Sequence, residues 1–152
     1  GLDSTVLLYL MAQAKRELKL SASIIAVHVN HQLSVDANRW ERHCESVCGR
    51  LQIDYRSARV DINKNGKGLE AAAREARYKV FEAFIEPKDI LLMAHHRNDQ
   101  AETFLLRLMR GAGVLGLSAM PVERALGTGQ IWRPLLNVSR DELEAYANKN
   151  KL

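Results

Sequence analysis

The sequence predicts an α/β fold: a parallel sheet with helices on both faces. Three observations predict it. Helical and strand-like segments alternate along the chain, the strand-like segments are short and apolar or β-branched, as buried parallel strands are, and clusters of polar residues fall where those strands end, the edge on which such sheets gather ligands.

Taken in order, Val6, Leu7, Leu10, Met11, Ala14 and Leu18 recur at helical spacing and predict a helix over roughly 4–18. SASIIAVHV (21–29) is rich in β-branched residues and reads as a buried strand. Trp40, Cys44, Val47, Cys48 and Leu51 keep a 3.6-residue period, giving a helix over about 36–51. DYRSARVDI (54–62) alternates like a strand with one exposed face, and NKNGKG is a loop by composition. A helix follows over 68–84, with Leu69, Ala73, Ala76, Val80 and Phe84 along one side. DILLMA (89–94) is the third strand, and the helix over 99–110 is ended by Gly111 and Gly113. Beyond 113, turn residues around Gly127 and Gly129 suggest a hairpin or an irregular crossover to one more strand. SRDE (139–142) is a capping box, with Ser139 as cap and Glu142 reaching back.

Bulk properties narrow the class. At 152 residues, 47% hydrophobic and 26% charged, the chain suits one globular domain. No run approaches the roughly 20 apolar residues that span a bilayer. The N-terminus lacks a signal-peptide layout, so the expected location is cytoplasmic. Cys44 and Cys48 are too few for a disulfide scaffold; their spacing puts them on one helix face, where cysteine behaves as a small hydrophobe. The net charge of +4 and a pI near 9.2 are compatible with a nucleic-acid partner without requiring one. An abrupt start at Gly1 and a stop at Leu152 inside a helical pattern suggest a piece of something longer.

Four stretches carry chemistry, each with an ordinary alternative. GLDS opens a helix, and its free N–H groups suit phosphate, with a cation such as Mg²⁺ between phosphate and Asp3; alternatively Asp3 or Ser4 is simply an N-cap. In HVNHQLS, His28 and His31 flank Asn30 and read as loop anchors. Arg74 and Arg77, one helical turn apart, can reach one anion or pair with Glu70 and Glu75. His95 and His96 are neighbours on an extended segment and point to opposite sides, so they do not make a zinc site. Asp99 and Glu102 form a D-x-x-E capping pattern.

These blocks, in this order, resemble the PP-loop ATP pyrophosphatases, specifically their tRNA(Ile)-lysidine synthetase branch. GLDS matches the last four residues of that family's Ser-Gly-Gly-x-Asp-Ser loop. HVNHQLS, GLEAAAREARY and AHHRNDQAETFLLRLMRGAG match later blocks, followed by GLSAM, RPLL and RDELEAYA. The resemblance runs over nearly the whole chain. It implies a Rossmann-like adenine nucleotide alpha hydrolase (PP-loop ATPase) domain over 1–152, truncated at both ends, with C-terminal tRNA-binding domains absent.

It further implies an ATP-dependent ligase. The wobble cytidine of a tRNA(Ile) with a CAU anticodon is adenylated, and free L-lysine then displaces AMP at C2 to give lysidine. The implied catalytic residues are Asp3, Arg77 and Asp99. Gly1, Leu2, Asp3, Ser4, His95 and His96 would line the ATP site, and Mg²⁺ would act through Asp3 and Asp99. Arg74, Arg110 and Arg133 are candidate substrate or RNA contacts, and a homodimer is left open. Asn98 stands where many members have a second Asp, so the carboxylate role stays with Asp99. The alternatives are a tRNA cytidine thiolase, disfavoured because Cys44 and Cys48 are not a Cys-x-x-Cys pair, and a non-catalytic nucleotide- or RNA-binding module.

Overall fold

The computed structural model describes residues 1–62, 68–111, 113 and 118–152. Its elements run α1 (Leu2–Glu17), β1 (Ile25–Asn30), α2 (Ala37–Leu51), β2 (Asp54–Arg59), α3 (Leu69–Phe84), β3 (Ile90–Leu92), α4 (Arg97–Met109), β4 (Glu123–Leu126), β5 (Gly129–Trp132) and α5 (Arg140–Asn150). The alternation read from the sequence is realised, and the chain is α/β. The predicted loop lies, except for Gly68, outside the described residues. Among the described residues no helix is long and apolar enough to cross a membrane.

The chain falls into two compact units, Gly1–Leu8 with Glu86–Leu152, and Tyr9–Ile85. In the second unit β1 and β2 pair in parallel, with Asn30 opposite Arg59 and His28 opposite Ser57. One face of β2 turns Tyr55 and Ser57 towards Glu41 of α2. From the other face, the Arg56 guanidinium lies 5.8 Å over the Phe84 ring of α3. Helices thus cover both faces of the pair. Ala12, Val47, Cys48, Ile53 and Ala72 are buried here. Trp40 and Leu69, expected on buried stripes, are 55% and 43% exposed; both sit in the first turn of their helices.

In the first unit the strand order is β3-β5-β4. β3 runs parallel to β5, with Leu91 opposite Ile131, and β4 is antiparallel to it. The hairpin alternative is therefore the one the chain takes. Gly127, at φ +52°, supplies the left-handed residue of its two-residue turn. Ile131 is fully buried in the central strand, and Leu135, Leu136, Leu143 and Ala147 are buried in the same unit. Ile131→Ala is expected to lower unfolding free energy by about 2–5 kcal/mol, read from denaturant midpoints, through lost transfer energy and the cavity left behind.

Helix starts are set locally. Ser139 Oγ accepts the Glu142 N–H at 3.2 Å and the Glu142 carboxylate accepts the Ser139 N–H at 2.8 Å, the capping box expected for α5. α4 begins two residues earlier than its periodicity suggested. Its N-cap is His96, and Asp99 is not itself a cap: it sits at the third helical position, its carboxylate accepting the His96 N–H at 2.8 Å.

Candidate active site

Within the first unit, three helix N-termini meet. Asp3 lies in the first turn of α1, His96 is the N-cap of α4 and Arg140 is the first residue of α5. The Asn98 side-chain oxygen accepts the Arg140 N–H at 3.1 Å, and the Val138 carbonyl accepts the Arg97 N–H at 2.8 Å. These two bonds lace the start of α4 to the start of α5. Each helix start carries N–H groups without intrahelical partners and a positive dipole end, so the meeting point favours an anion.

The carboxylates are arranged around His96. Its ring is buried, with Nε2 3.8 Å from Asp3 and Nδ1 3.6 Å from Asp99. Asp3 does not cap its helix; the Gly1 carbonyl accepts the Thr5 N–H instead, at 3.1 Å. The Asp3 side chain turns inward, with Oδ2 3.4 Å from Arg140 Nη1, and its Oδ1 is buried without a hydrogen-bond partner among the described residues. An orphaned carboxylate oxygen is costly to bury. Arg140 also donates to Glu144 at 3.0 Å, and both acids hold its guanidinium further above its ordinary pKa, Glu144 most strongly.

Of the sequence-derived site residues, the structure brings together Gly1, Leu2, Asp3, Ser4, His96 and Asp99. His95 is half-buried on the segment leading into α4. Arg110 is exposed at the C-cap of α4. Arg133 is corrected: it is 3% exposed and its Nη1 donates to the Pro121 carbonyl at 2.8 Å, so it holds the chain beside β5 and is withdrawn from any RNA surface. Its charge signalled solvent; inside, the Pro121 carbonyl takes an N–H of the guanidinium, while Nε is buried without a hydrogen-bond partner among the described residues.

The second unit holds the remaining candidates. Arg77 and Arg74 are exposed on α3. Arg74 stacks over the Tyr78 ring at 5.2 Å, and Lys79 pairs with Glu75 at 3.3 Å. Burial, with Arg77 and His28 nearby, pushes His31 below its usual pKa. The anchor of the turn after β1 is not a histidine. Asn30, buried at 2% exposure, accepts the Gln32 N–H at 2.9 Å, while His28 stacks on Tyr55.

Sequence reasoning missed Arg140 and Glu41. The capping box at Ser139 could have placed Arg140 at a helix start, but nothing local pointed it at Asp3. Glu41 accepts from Asn30 at 2.7 Å, Ser57 at 2.5 Å and Arg59 at 3.3 Å. Ser57 and Asn30, then Arg59, hold its carboxyl below the ordinary 4.5. A depressed carboxylate stabilises the fold above its unfolded pKa and loses that contribution as pH falls through the folded one. The melting-temperature gap between wild type and Glu41→Gln should therefore be full at pH 6 and shrink below about pH 4.5, measured by thermal melts across pH; a gap constant down to pH 3 contradicts it.

Comparison with known proteins adds the following. A family model described as the PP-loop domain matches residues 1–152. The tRNA(Ile)-lysidine synthase of Pseudomonas aeruginosa is 52% identical over 152 residues, covering 100% of this chain and 34% of that protein. The enzyme of the same name from Coxiella burnetii is 49% identical over 153 residues, again with 34% of its length covered. The chain thus spans about a third of the curated relatives it matches. Among solved structures, the U34-tRNA thiolase of Methanococcus maripaludis with its [4Fe-4S] cluster superposes with a TM-score of 0.79 over all of this chain and 54% of its own, at 18% identity. That likeness speaks to the fold.

Proposed function

Because this chain belongs to the PP-loop family, we propose that it is the ATP-using part of a tRNA(Ile)-lysidine synthetase, acting on tRNA(Ile) with a CAU anticodon and on free L-lysine. The observation that carries the proposal is the Asp3–His96–Asp99 arrangement at the N-termini of α1 and α4. Its relatives at about half identity carry the lysidine synthase name over the same residues.

In the proposed reaction the C2 oxygen of the wobble cytidine attacks the α-phosphorus of ATP, and pyrophosphate leaves. The lysine amino group then attacks C2, and AMP departs with the oxygen. Phosphoryl transfer of this kind needs positioning and charge neutralisation more than covalent help. Gly1 to Ser4 offer the N-terminal N–H groups of α1 to the phosphates. Mg²⁺ fits the donor set: it takes one or two carboxylates plus phosphate oxygens rather than an all-protein cage, and Asp3 has a buried oxygen without a partner. Bound there, through Asp3 and Asp99, it would neutralise phosphate charge.

His96, between the two carboxylates, fixes their separation, and His95 shapes the neighbouring wall. Arg140 holds Asp3 in place. Arg77, on the second unit, is assigned to the α-phosphate by its place in the motif GLEAAAREARY. Arg74 and Arg110, both exposed, are the remaining candidates for RNA phosphates. Tyr9–Ile85 carries the whole formal excess of +4, with 13 Lys and Arg against 9 Asp and Glu, while the other unit has 9 of each. This charge asymmetry supports a polynucleotide partner on the second unit.

The thiolase reading lacks support at the cysteines. Cys48 is 2% exposed, and burial pushes its thiol up, away from the reactive thiolate. A cytoplasmic location and a single nucleotide-binding domain belong to the same proposal. The test joins this chain to the C-terminal two thirds of the P. aeruginosa relative and supplies ATP, labelled lysine and tRNA(Ile) with CAU. Lysine incorporation with pyrophosphate release is expected. A folded chimera that incorporates none, while the parent relative does, overturns the assignment.

A further inference from the structure

Arg140 stands where α1, α4 and α5 begin, with more donors than its partners use. Asn98 Oδ1 accepts its backbone N–H at 3.1 Å, which pins the first turn of α5 to the first turn of α4. Its Nε donates to Glu144 at 3.0 Å, one turn along the same helix. Its side chain reaches the site through a single 3.4 Å contact, from Nη1 to Asp3 Oδ2, and Nη2 forms no hydrogen bond among the described residues. A guanidinium carries five N–H donors in a flat fork that matches phosphate oxygens two at a time. Most of that fork is unused here, and the side chain is 42% exposed, within reach of a molecule arriving at the junction.

Two further polar atoms at the junction are unsatisfied. Asp3 Oδ1 and His96 Nδ1 are both buried without hydrogen-bond partners among the described residues, and His96 as a whole is 5% exposed. Asp3 thus divides its carboxylate: Oδ2 faces Arg140, and Oδ1 is left for a cation. A hard cation and a guanidinium flanking one carboxylate together favour an anion with several oxygens. Asn98 holds the backbone of Arg140 and Glu144 holds Nε, so the guanidinium keeps its place when Nη1 leaves Asp3 for another acceptor.

We infer, on the ATP-using reading above, that Arg140 binds the pyrophosphate end of ATP, exchanging its contact with Asp3 for oxygens of the β- and γ-phosphates. Every group in this arrangement belongs to the first unit. During adenylation the bond from the α-phosphorus to the bridging oxygen breaks, and pyrophosphate leaves with the electron pair. A fixed guanidinium beside it stabilises the charge as it grows.

Calorimetric titrations with ATP, pyrophosphate and AMP, each with Mg²⁺, separate this role from general support, because AMP lacks the β- and γ-phosphates. Arg140→Gln should weaken ATP and pyrophosphate about tenfold, the scale of losing a hydrogen bond to a charged group, and leave AMP within about twofold of wild type. Arg140→Lys keeps the charge without the fork and should fall between wild type and Arg140→Gln; it also carries the test should Arg140→Gln fail to fold in thermal melts. A mere brace for Asp3 would act through the cation, and its loss would fade at saturating Mg²⁺. The pyrophosphate defect should instead persist there. If wild type binds ATP but the variants bind pyrophosphate within about threefold of it, lose AMP equally, or recover fully at high Mg²⁺, the role is overturned and the nucleotide reading stands. Wild type binding ATP no more tightly than AMP overturns the role as well. If wild type binds neither ATP nor pyrophosphate, the nucleotide reading falls and takes this role with it.

Discussion

Asp99→Asn is expected to cut lysine incorporation at least about 100-fold, the order lost when a preorganised charge is removed from a developing transition state, while the melting temperature moves by no more than about 3 °C. The two halves of that expectation come from two properties of one side chain, an acceptor oxygen and a negative charge, both presented to His96 by Oδ2. Oδ2 accepts the His96 N–H and so starts α4. Asparagine keeps an oxygen for that bond, so the helix start survives. The charge beside His96 does not survive, and with it goes one of the two carboxylates proposed to act through Mg²⁺ on the phosphates. Asp99→Ala should instead lose both activity and about 1 kcal/mol of helix-capping stability. The chimera assay and thermal melts separate these cases. Asp99→Asn retaining more than a tenth of wild-type incorporation removes Asp99 from the mechanism.

Asp3→Asn should be as damaging to chemistry and nearly silent in stability. Its Oδ1 is buried without a hydrogen bond among the described residues, and its Oδ2 meets an Arg140 that also has Glu144. Removing the charge relieves an uncompensated oxygen and leaves Arg140 a partner, so the fold loses little. Pyrophosphate release, by contrast, should fall at least about 100-fold, because the neutral amide is a poor ligand for a hard cation. Raising Mg²⁺ should recover part of the loss if the defect is in metal affinity; an unchanged rate across Mg²⁺ concentrations contradicts the assigned role. A marked fall in melting temperature for Asp3→Asn would show that Asp3 serves folding instead.

What could be read in the sequence was what is decided within a turn or two of chain. The capping box of α5 was legible because Ser139 and Glu142 satisfy each other three residues apart. Alternation of helix and strand gave the α/β class, and the ordered motifs gave the family. The start of α4 was misplaced because histidine is not among the usual N-caps, and only the structure shows Asp99 reaching back to it. Arg133 carries a charge that suggests the surface, and charge alone does not report burial. The Asp3–Arg140 contact was invisible, since neither residue has a local reason to seek the other. Glu41 was hidden among the polar residues of an amphipathic helix, and only the β1–β2 register turns Asn30, Ser57 and Arg59 upon it.

The contact between Asp3 and Arg140 joins residues 137 positions apart. During synthesis at roughly 5–20 residues per second, Asp3 is made about 7–27 s before its partner. Throughout that interval the loop GLDS lacks α5, and for most of it α4 as well. The carboxylate that would engage ATP is then fully hydrated, and it enters its final surroundings only when the last helix of this segment docks. Closing so long a loop is entropically expensive and slow. The Asp3 contact with Arg140 thus forms only after the helix that carries Arg140 has been made.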